Sequence, residues 1–262
     1  MAIHAPDADT SAYIANMVPD TPRTGRPRFA QTVLADMIDR IASGEFAPGT
    51  SLPSEPELLA EYGVSRGVAR EAVKLLESRG IARTHHGLGT RVTPYDDWNL
   101  LDPIVLSACT RYDVDQQIQS ELATLRASLE SDLAESAARV ATPADIDVLD
   151  GYLEDMQRAA ERPDEFHDID VLFHGKLMSM AGSRLIRQVV RTVHDHVRRE
   201  VAMSFATTAE LRATNAEHAA IRDAVAAGDP VAARAAMTAH ITDAWVRRSS
   251  AIRAHAREEG LP

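Results

Sequence analysis

One cysteine, Cys109, stands in a chain of 262 residues. That excludes an internal disulfide and a cysteine-rich zinc framework, and it fits a reducing cytoplasm. Aromatic residues make up only 5%. A core must then be built mostly from Ala, Val, Leu and Ile, a palette that suits helices better than a β-sandwich. No uncharged apolar run approaches the roughly 18 residues that a membrane span needs. The opening MAIHAPDADT has neither a basic start nor an apolar stretch. The expectation is a cytoplasmic protein without signal peptide or membrane span.

Positive charge is also scarce. The net charge is −11, which argues against a nucleic-acid partner until its distribution is read. Residues 1–20 hold three acids and no Lys or Arg. Residues 21–95 hold ten Lys/Arg against eight Asp/Glu, a net of +2. Residues 96–262 hold 18 against 28, a net of −10. Only the N-terminal third can attract phosphates, and only by local clustering.

What is present is helical periodicity. Residues 1–26 are rich in Ala, Asp, Thr and Pro and read as a flexible tail. Arg23, Arg26 and Arg28 follow as a small basic run, either a solvated linker or an arm on the DNA backbone. Val33, Met37, Ile38 and Ile41 recur at helical spacing and predict a helix over about Phe29–Ser43, ended by Gly44. Ser54, with Glu57 three residues on, forms a capping-box pattern for a helix over about Glu55–Tyr62. Gly63 stops it, and Ser65 stands as cap of a third helix over about Arg66–Arg79, closed by Gly80. IARTHHGLGTRV is short, alternating and glycine-punctuated, as a β-hairpin is. Helix, helix, tight YGVS turn, helix and hairpin make a winged helix-turn-helix over 27–95.

Residues 96–112, around WNLLDPIVL, read as a linker and docking segment. From Asp113 to about 258 the pattern is helical throughout, with spans near 113–140, 143–161, 165–181, 184–205, 208–227 and 230–257. Thr142-Pro143 and Asp229-Pro230 are cap-and-proline pairs. The fold class is therefore mainly α: an N-terminal winged helix-turn-helix and a C-terminal all-helical antiparallel bundle.

The third helix places Arg66 and Arg70 on one face, with Val68, Ala72, Leu75 and Leu76 on the other. Arginine donates two parallel bonds to guanine in the major groove, and Ser65 at the helix start suits a phosphate. The hairpin tip offers His86, Gly87 and Gly89, with Thr90 and Arg91 within reach of phosphates. The other reading makes these arginines solvated surface residues.

In the C-terminal part, Asp170 and His174 are four apart on one helix, and His218 and His240 follow on two others. Such a set suits Zn²⁺, Ni²⁺, Mn²⁺ or Fe²⁺. By spacing alone such residues are more often a surface ion pair and hydrogen-bonded core histidines. Asn215 lies three before His218 on the same face, either an effector contact or a surface amide near a helix start. His194 and His196 point to different faces and stay outside the metal set.

SLPSEPELLAEYGVSRGVAREAVKLLESRGIARTHHGLGTRV, within about residues 28–93, resembles the DNA-binding domain of GntR-type regulators through LPSE, SRGVAREAV and HGLGT. The resemblance implies that Arg66 and Arg70 contact bases or neighbouring phosphates, that the His86-Gly87 wing tip enters the minor groove, and that Arg28, Ser54, Ser65, Gly89 and Thr90 belong to the same DNA face. Two positions depart from the family's habit: Pro56 where Arg is frequent, and Ala69 where Val is frequent. DVLFH, EHAAI and MTAHI, with LATLRASLE and WNLLDPIVL upstream, resemble the FCD ligand-binding domain of the FadR-like branch over about 97–250. This second resemblance implies a divalent metal ion on Asp170, His174, His218 and His240, and Arg126 holding an effector's carboxylate. Ser183 stands where that domain often has Asn.

The sequence thus predicts a homodimeric repressor of operator DNA, controlled by a small carboxylate effector such as a sugar acid. The competing readings are a metal-dependent enzyme, with no evident general base besides Glu217, an acyl-CoA-responsive regulator, and a structural DNA-binding protein.

Overall fold

The structure is a computed structural model that describes residues 26–113, 116–200 and 207–258, with the backbone alone for 26–28, 195–200 and 251–258. Apart from Arg26, the expected tail 1–26 lies outside the described residues, and so does the Arg28 side chain. Ten α-helices and one two-stranded sheet are described. The chain forms two compact units, dividing between Ile118 and Gln119. No described helix is long and apolar enough to cross a membrane.

The first unit holds α1 (Arg26–Ala42), α2 (Glu55–Tyr62), α3 (Arg66–Ser78), β1 (Ala82–His85), β2 (Gly89–Val92) and α4 (Pro103–Arg111). Val33, Leu34, Met37, Ile38 and Ile41 line the inner face of α1. They pack on Leu58 of α2, on Ala69, Ala72, Val73 and Leu76 of α3, and on Ile81 and Val92 at the hairpin base. Each fully buried side chain of the Leu or Ile kind contributes about 1.5–3 kcal/mol. The strands pair antiparallel, Ala82 opposite Val92 and His85 opposite Gly89.

Residues 96–112 are more than a connection. A 3-10 turn at Tyr95–Asp97 leads to Trp98, which is buried and donates its indole N–H to the Thr93 carbonyl at 3.2 Å. Asp102 then accepts from the amides of Ile104 and Val105, Pro103 takes the first helical position, and α4 forms. Val105, Ala108 and Cys109 of α4 join the core of the first unit. Gly80 is needed where this segment returns. Its φ is +73°, and a Cβ there would lie 1.9 Å from the Asp97 carbonyl oxygen.

The second unit is built from α5 (Gln117–Val140), α6 (Pro143–Ala159), α7 (Pro163–Met180), α8 (Arg184–Glu200), α9 (Thr208–Ala226) and α10 (Pro230–Glu258). The long helix begins at Gln117 rather than 113, and Asp113 accepts the Gln117 amide at 2.9 Å. The Thr142 and Thr207 caps are capping boxes with Asp145 and Glu210. Short turns join α6 to α7 and α9 to α10, giving antiparallel pairs. Leu149, Tyr152, Met156, Phe166, Ile169 and Phe173 dominate the core between α6 and α7. Small residues, Ala134, Ala137 and Ala138, let α5 approach. The expected end of α8 near 205 lies outside the described residues.

Candidate DNA face and candidate metal centre

α3 buries Val68, Ala69, Ala72, Val73 and Leu76. The face left to solvent carries Arg66 and Arg70 and, one turn further, Lys74, which the sequence reading passed over. Among the described residues these three make no hydrogen bond or ion pair, so their charge is uncommitted. Ala69 is fully buried, so its departure from the family's valine is a packing change.

Ser65 takes the cap position by backbone geometry, yet its hydroxyl makes no capping bond and is exposed. Ser54 is different. Its hydroxyl and its amide both donate to Glu57 Oε2 at 2.7 Å, so the capping box already engages it. Pro56 sits in the first turn of α2. At the wing, His86 is exposed, and Gly87 and Gly89 both have φ of +76° with open space around them. These two glycines bring backbone, with the exposed Leu88 between them, to the tip. Thr90 bonds across the hairpin to the Thr84 hydroxyl at 3.1 Å. Arg91, expected to reach phosphates, donates to the Gly49 carbonyl at 2.9 Å and ties the wing to the preceding turn.

In the second unit, Asp170 and His174 on α7, His218 on α9 and His240 on α10 each present one donor atom, all within 4.8 Å of one another. His218 Nε2 lies 3.1 Å from Asp170 Oδ1 and 3.3 Å from His174 Nε2, and His174 Nε2 lies 3.8 Å from the same carboxylate oxygen. The rings of His218 and His240 are 4.3 Å apart. The three histidines are buried, at 1%, 0% and 4% exposure.

Outside this set lies a ring of orienting groups. Glu130 on α5 is 2% exposed, and its Oε2 stands 2.7 Å from His174 Nδ1. Its Oε1 accepts from Arg126 Nε at 2.7 Å and lies 2.9 Å from His194 Nε2. Glu217 Oε2 stands 3.0 Å from His240 Nδ1, and Arg247 holds the same carboxylate through both of its terminal nitrogens, at 2.8 and 3.0 Å. Glu217 is therefore a clamp on His240 and not a solvated side chain. His194, left aside in the sequence reading, belongs to the site through Glu130. Glu130 closes the LATLRASLE stretch that carries part of the FCD resemblance, but its role appears only when α5, α7 and α8 meet.

The electrostatics follow from burial and these partners. Burial opposes the Asp170 charge, but the bond from His218 and the nearby histidines outweigh it and hold the carboxyl well below its ordinary value. Glu130 is likewise held low, Arg126, His194 and His174 overcoming burial. Burial lowers His218, with Asp170 pulling the other way. His240 falls to about 3, through burial and then the neighbouring His218, against the pull of Glu217. Neutral imidazoles and an ionised carboxylate are the forms that ligate a metal.

The residues present fit a divalent cation. With Nδ1 of His174 and of His240 directed at carboxylates, each ring turns its Nε2 lone pair inward. His218 Nδ1 is buried without a hydrogen-bond partner, so this ring is held by its Nε2 side alone. Asn215, on the same helix, is buried; its Nδ2 donates to the Leu153 carbonyl at 3.1 Å and to Gln157 at 3.4 Å. Only its buried Oδ1 is left without a partner.

Comparison with known proteins divides the chain in the same way. Residues 29–92 match the family described as bacterial regulatory proteins, gntR family, and residues 121–243 match the FCD domain. The HTH-type transcriptional regulator Rv0494 of Mycobacterium tuberculosis is 30% identical over 85% of this chain and 90% of its own length. The galactonate operon transcriptional repressor of Escherichia coli is 27% identical over 76% of this chain and 88% of its own. A solved structure of Lar, titled as controlling the Listeria monocytogenes agr system, aligns with a TM-score of 0.56 at 18% identity, over 88% of this chain and 99% of that one, a likeness of fold alone.

Proposed function

Because the chain belongs to the GntR family of transcription regulators, with an FCD domain behind its winged helix-turn-helix, we propose that it is a repressor whose operator affinity is set by a small carboxylate effector at a metal centre in the second unit. This family and its relatives are regulators, not enzymes. The observation that carries the reading is the convergence of Asp170, His174, His218 and His240 within 4.8 Å. Sugar acids are the first effector class to test, since one relative is by name a galactonate operon repressor.

In this reading residues 27–95 of the first unit bind DNA, and residues 113–258 bind effector and dimerise. Arg66 and Arg70 read bases in the major groove, and Ser65 and Lys74 hold phosphates. The backbone at Gly87 and Gly89, with His86, follows the minor groove. Arg28, Ser54 and Thr90 complete the face, although the Ser54 hydroxyl and amide and the Thr90 hydroxyl already bond within the chain and must share with a phosphate. Two copies pair so that two α3 helices meet two half-sites of a near-palindromic operator.

Asp170, His174, His218 and His240 hold the divalent ion. When bound, it supplies Lewis-acid positions that an effector's oxygen atoms occupy. Glu130 and Glu217 fix the tautomers of His174 and His240. Arg126, already bridging to Glu130, offers the guanidinium fork that suits a carboxylate. Asn215, three residues before His218 on the same helix, offers its buried carbonyl oxygen to the effector. Effector contacts spread over α5, α7, α9 and α10 favour one packing of the bundle over another. A coupling of ~1–3 kcal/mol changes operator affinity ~5–150-fold.

The test is selection of binding sites from a random duplex pool by the full chain, followed by titration of the selected DNA with and without candidate acids. An acid that shifts DNA affinity by about fivefold or more supports the reading. Acids that bind while DNA affinity stays constant contradict it.

A further inference from the structure

Arg126, His167 and Arg248 stand close enough to Asp170 and to one another to interact electrostatically, and no contact described so far uses His167 or Arg248. His167 is one turn before Asp170 on α7, with Nδ1 4.0 Å from Asp170 Oδ2. Its Nε2 is buried and has no hydrogen-bond partner. Arg248 lies seven residues beyond the buried Ile241 on α10, two turns on and on the same inward face. It is only partly exposed, and among the described residues it has no hydrogen bond or ion pair. Among the described residues, the two neighbouring arginines each contact a carboxylate of the chain, Arg126 that of Glu130 and Arg247 that of Glu217, whereas Arg248 contacts none.

We infer that Arg248, with the Nε2 of His167, receives a second anionic group, so that the effector is a small dicarboxylate and not a monocarboxylate. The inference rests on the metal-centred effector reading above and names the class of ligand for it.

The charges around the centre decide between the two classes. Asp170 and Glu130 are ionised, and the guanidiniums of Arg126 and Arg248 offset them. Glu217 and Arg247 cancel as a pair. The carboxylates and guanidiniums are thus balanced before the metal arrives. A divalent cation with neutral histidine ligands leaves an excess of two positive charges, which a dianion neutralises and a monoanion does not. Arg248 is balanced only at a distance, with no carboxylate among the described residues in direct contact: burial and then the neighbouring Arg126 push it down to about 10, against the pull of Asp170. A guanidinium without a contacting anion in a partly desolvated wall is costly, and a second carboxylate meets it there.

The experiment is calorimetric titration of the Zn²⁺-loaded full chain with acids paired by skeleton: galactonate against galactarate, and lactate against malate. Zinc content is measured on the same samples. The expected result is that a diacid binds at least about tenfold tighter than its monoacid partner. Arg248→Met should remove that advantage while monoacid binding stays within about twofold, and Arg248→Lys should retain most of it. His167→Phe should weaken the diacid alone. Melting curves of the variants confirm that they fold. Monoacids binding as tightly as diacids, or an advantage that survives Arg248→Met, would overturn the inference while leaving the effector site in place. Zinc-loaded protein that binds no diacid overturns it as well. Protein that takes up no zinc overturns the reading beneath it.

Discussion

Glu130 Oε2 lies 2.7 Å from His174 Nδ1, and both groups are almost wholly buried. In the proposed reading, this carboxylate on α5 attracts a proton to Nδ1 of a histidine on α7 and leaves Nε2 for the centre. Without it the ring is free to place a proton on Nε2 and turn away from a metal. Glu130→Gln keeps the shape and removes the charge. Metal affinity should fall about 10–100-fold, read by competition with a chelator. An affinity unchanged in a folded variant would mean that the contact does not orient the ring.

The exposed face of α3 separates two kinds of contact. Arg66→Ala and Arg70→Ala should each cost about 1–3 kcal/mol on selected DNA and relax base preference at one position. Lys74→Ala should weaken all sequences alike and lower the salt slope by about one. Titrations at several salt concentrations distinguish the two. Equal behaviour of all three variants would contradict the division into base and phosphate contacts.

Gly80→Ala tests the packing of α4. Alanine there has an unfavourable φ of +73° and a Cβ 1.9 Å from a carbonyl oxygen. The Asp97 backbone must move, and Trp98 follows it. The expected loss is about 1–3 kcal/mol from the backbone strain alone, seen as a lower denaturation midpoint. A midpoint equal to wild type would show that residues 96–112 are not packed as described.

Asp145 and Lys176 give a pH test away from the proposed ligands. Lys176 donates to Asp145 at 2.8 Å and is itself buried. Burial opposes the Asp145 charge, but Lys176 and the Thr142 cap outweigh it and hold the carboxyl below its ordinary 3.8. A carboxyl held low in the fold stabilises fully above 3.8, and this contribution disappears as pH falls through the folded value. Lys176→Met should therefore be less stable than wild type near neutrality, with the gap closing below about pH 4. A gap independent of pH would assign the loss to packing.

Much of this molecule is legible in the sequence, and the reasons are local. The α2 cap pattern Ser54–Glu57, the glycine stops and the apolar spacing of α1 are decided within a turn or two, so the winged unit reads well. The three histidines and Asp170 stand out because few other residue types ligate metals. Helix α4 was missed although Asp102-Pro103 is the same cap-and-proline pair as Thr142-Pro143; its short length and the WNLLDP run disguised it. The roles of Glu130, His194 and Arg248 are illegible for another reason, although Glu130 ends the LATLRASLE stretch. A glutamate, a histidine or an arginine in a helical stretch is ordinarily solvated, and only the tertiary packing of α5, α7, α8 and α10 makes these buried or unpartnered. The engaged side chains of Arg91 and Ser54 belong to the same class, since neighbours, not spacing, decide whether a polar group is free.

The most direct measurement is the metal content of the full chain, purified without added metal, for wild type and His218→Ala, with binding to selected DNA recorded for both. The account predicts about one divalent ion per chain in wild type, its loss in the variant, and a variant that still recognises DNA but no longer responds to acids. A wild type without metal that nonetheless responds to acids, or a His218→Ala variant that keeps its full metal content, would contradict the assignment of the centre to Asp170, His174, His218 and His240.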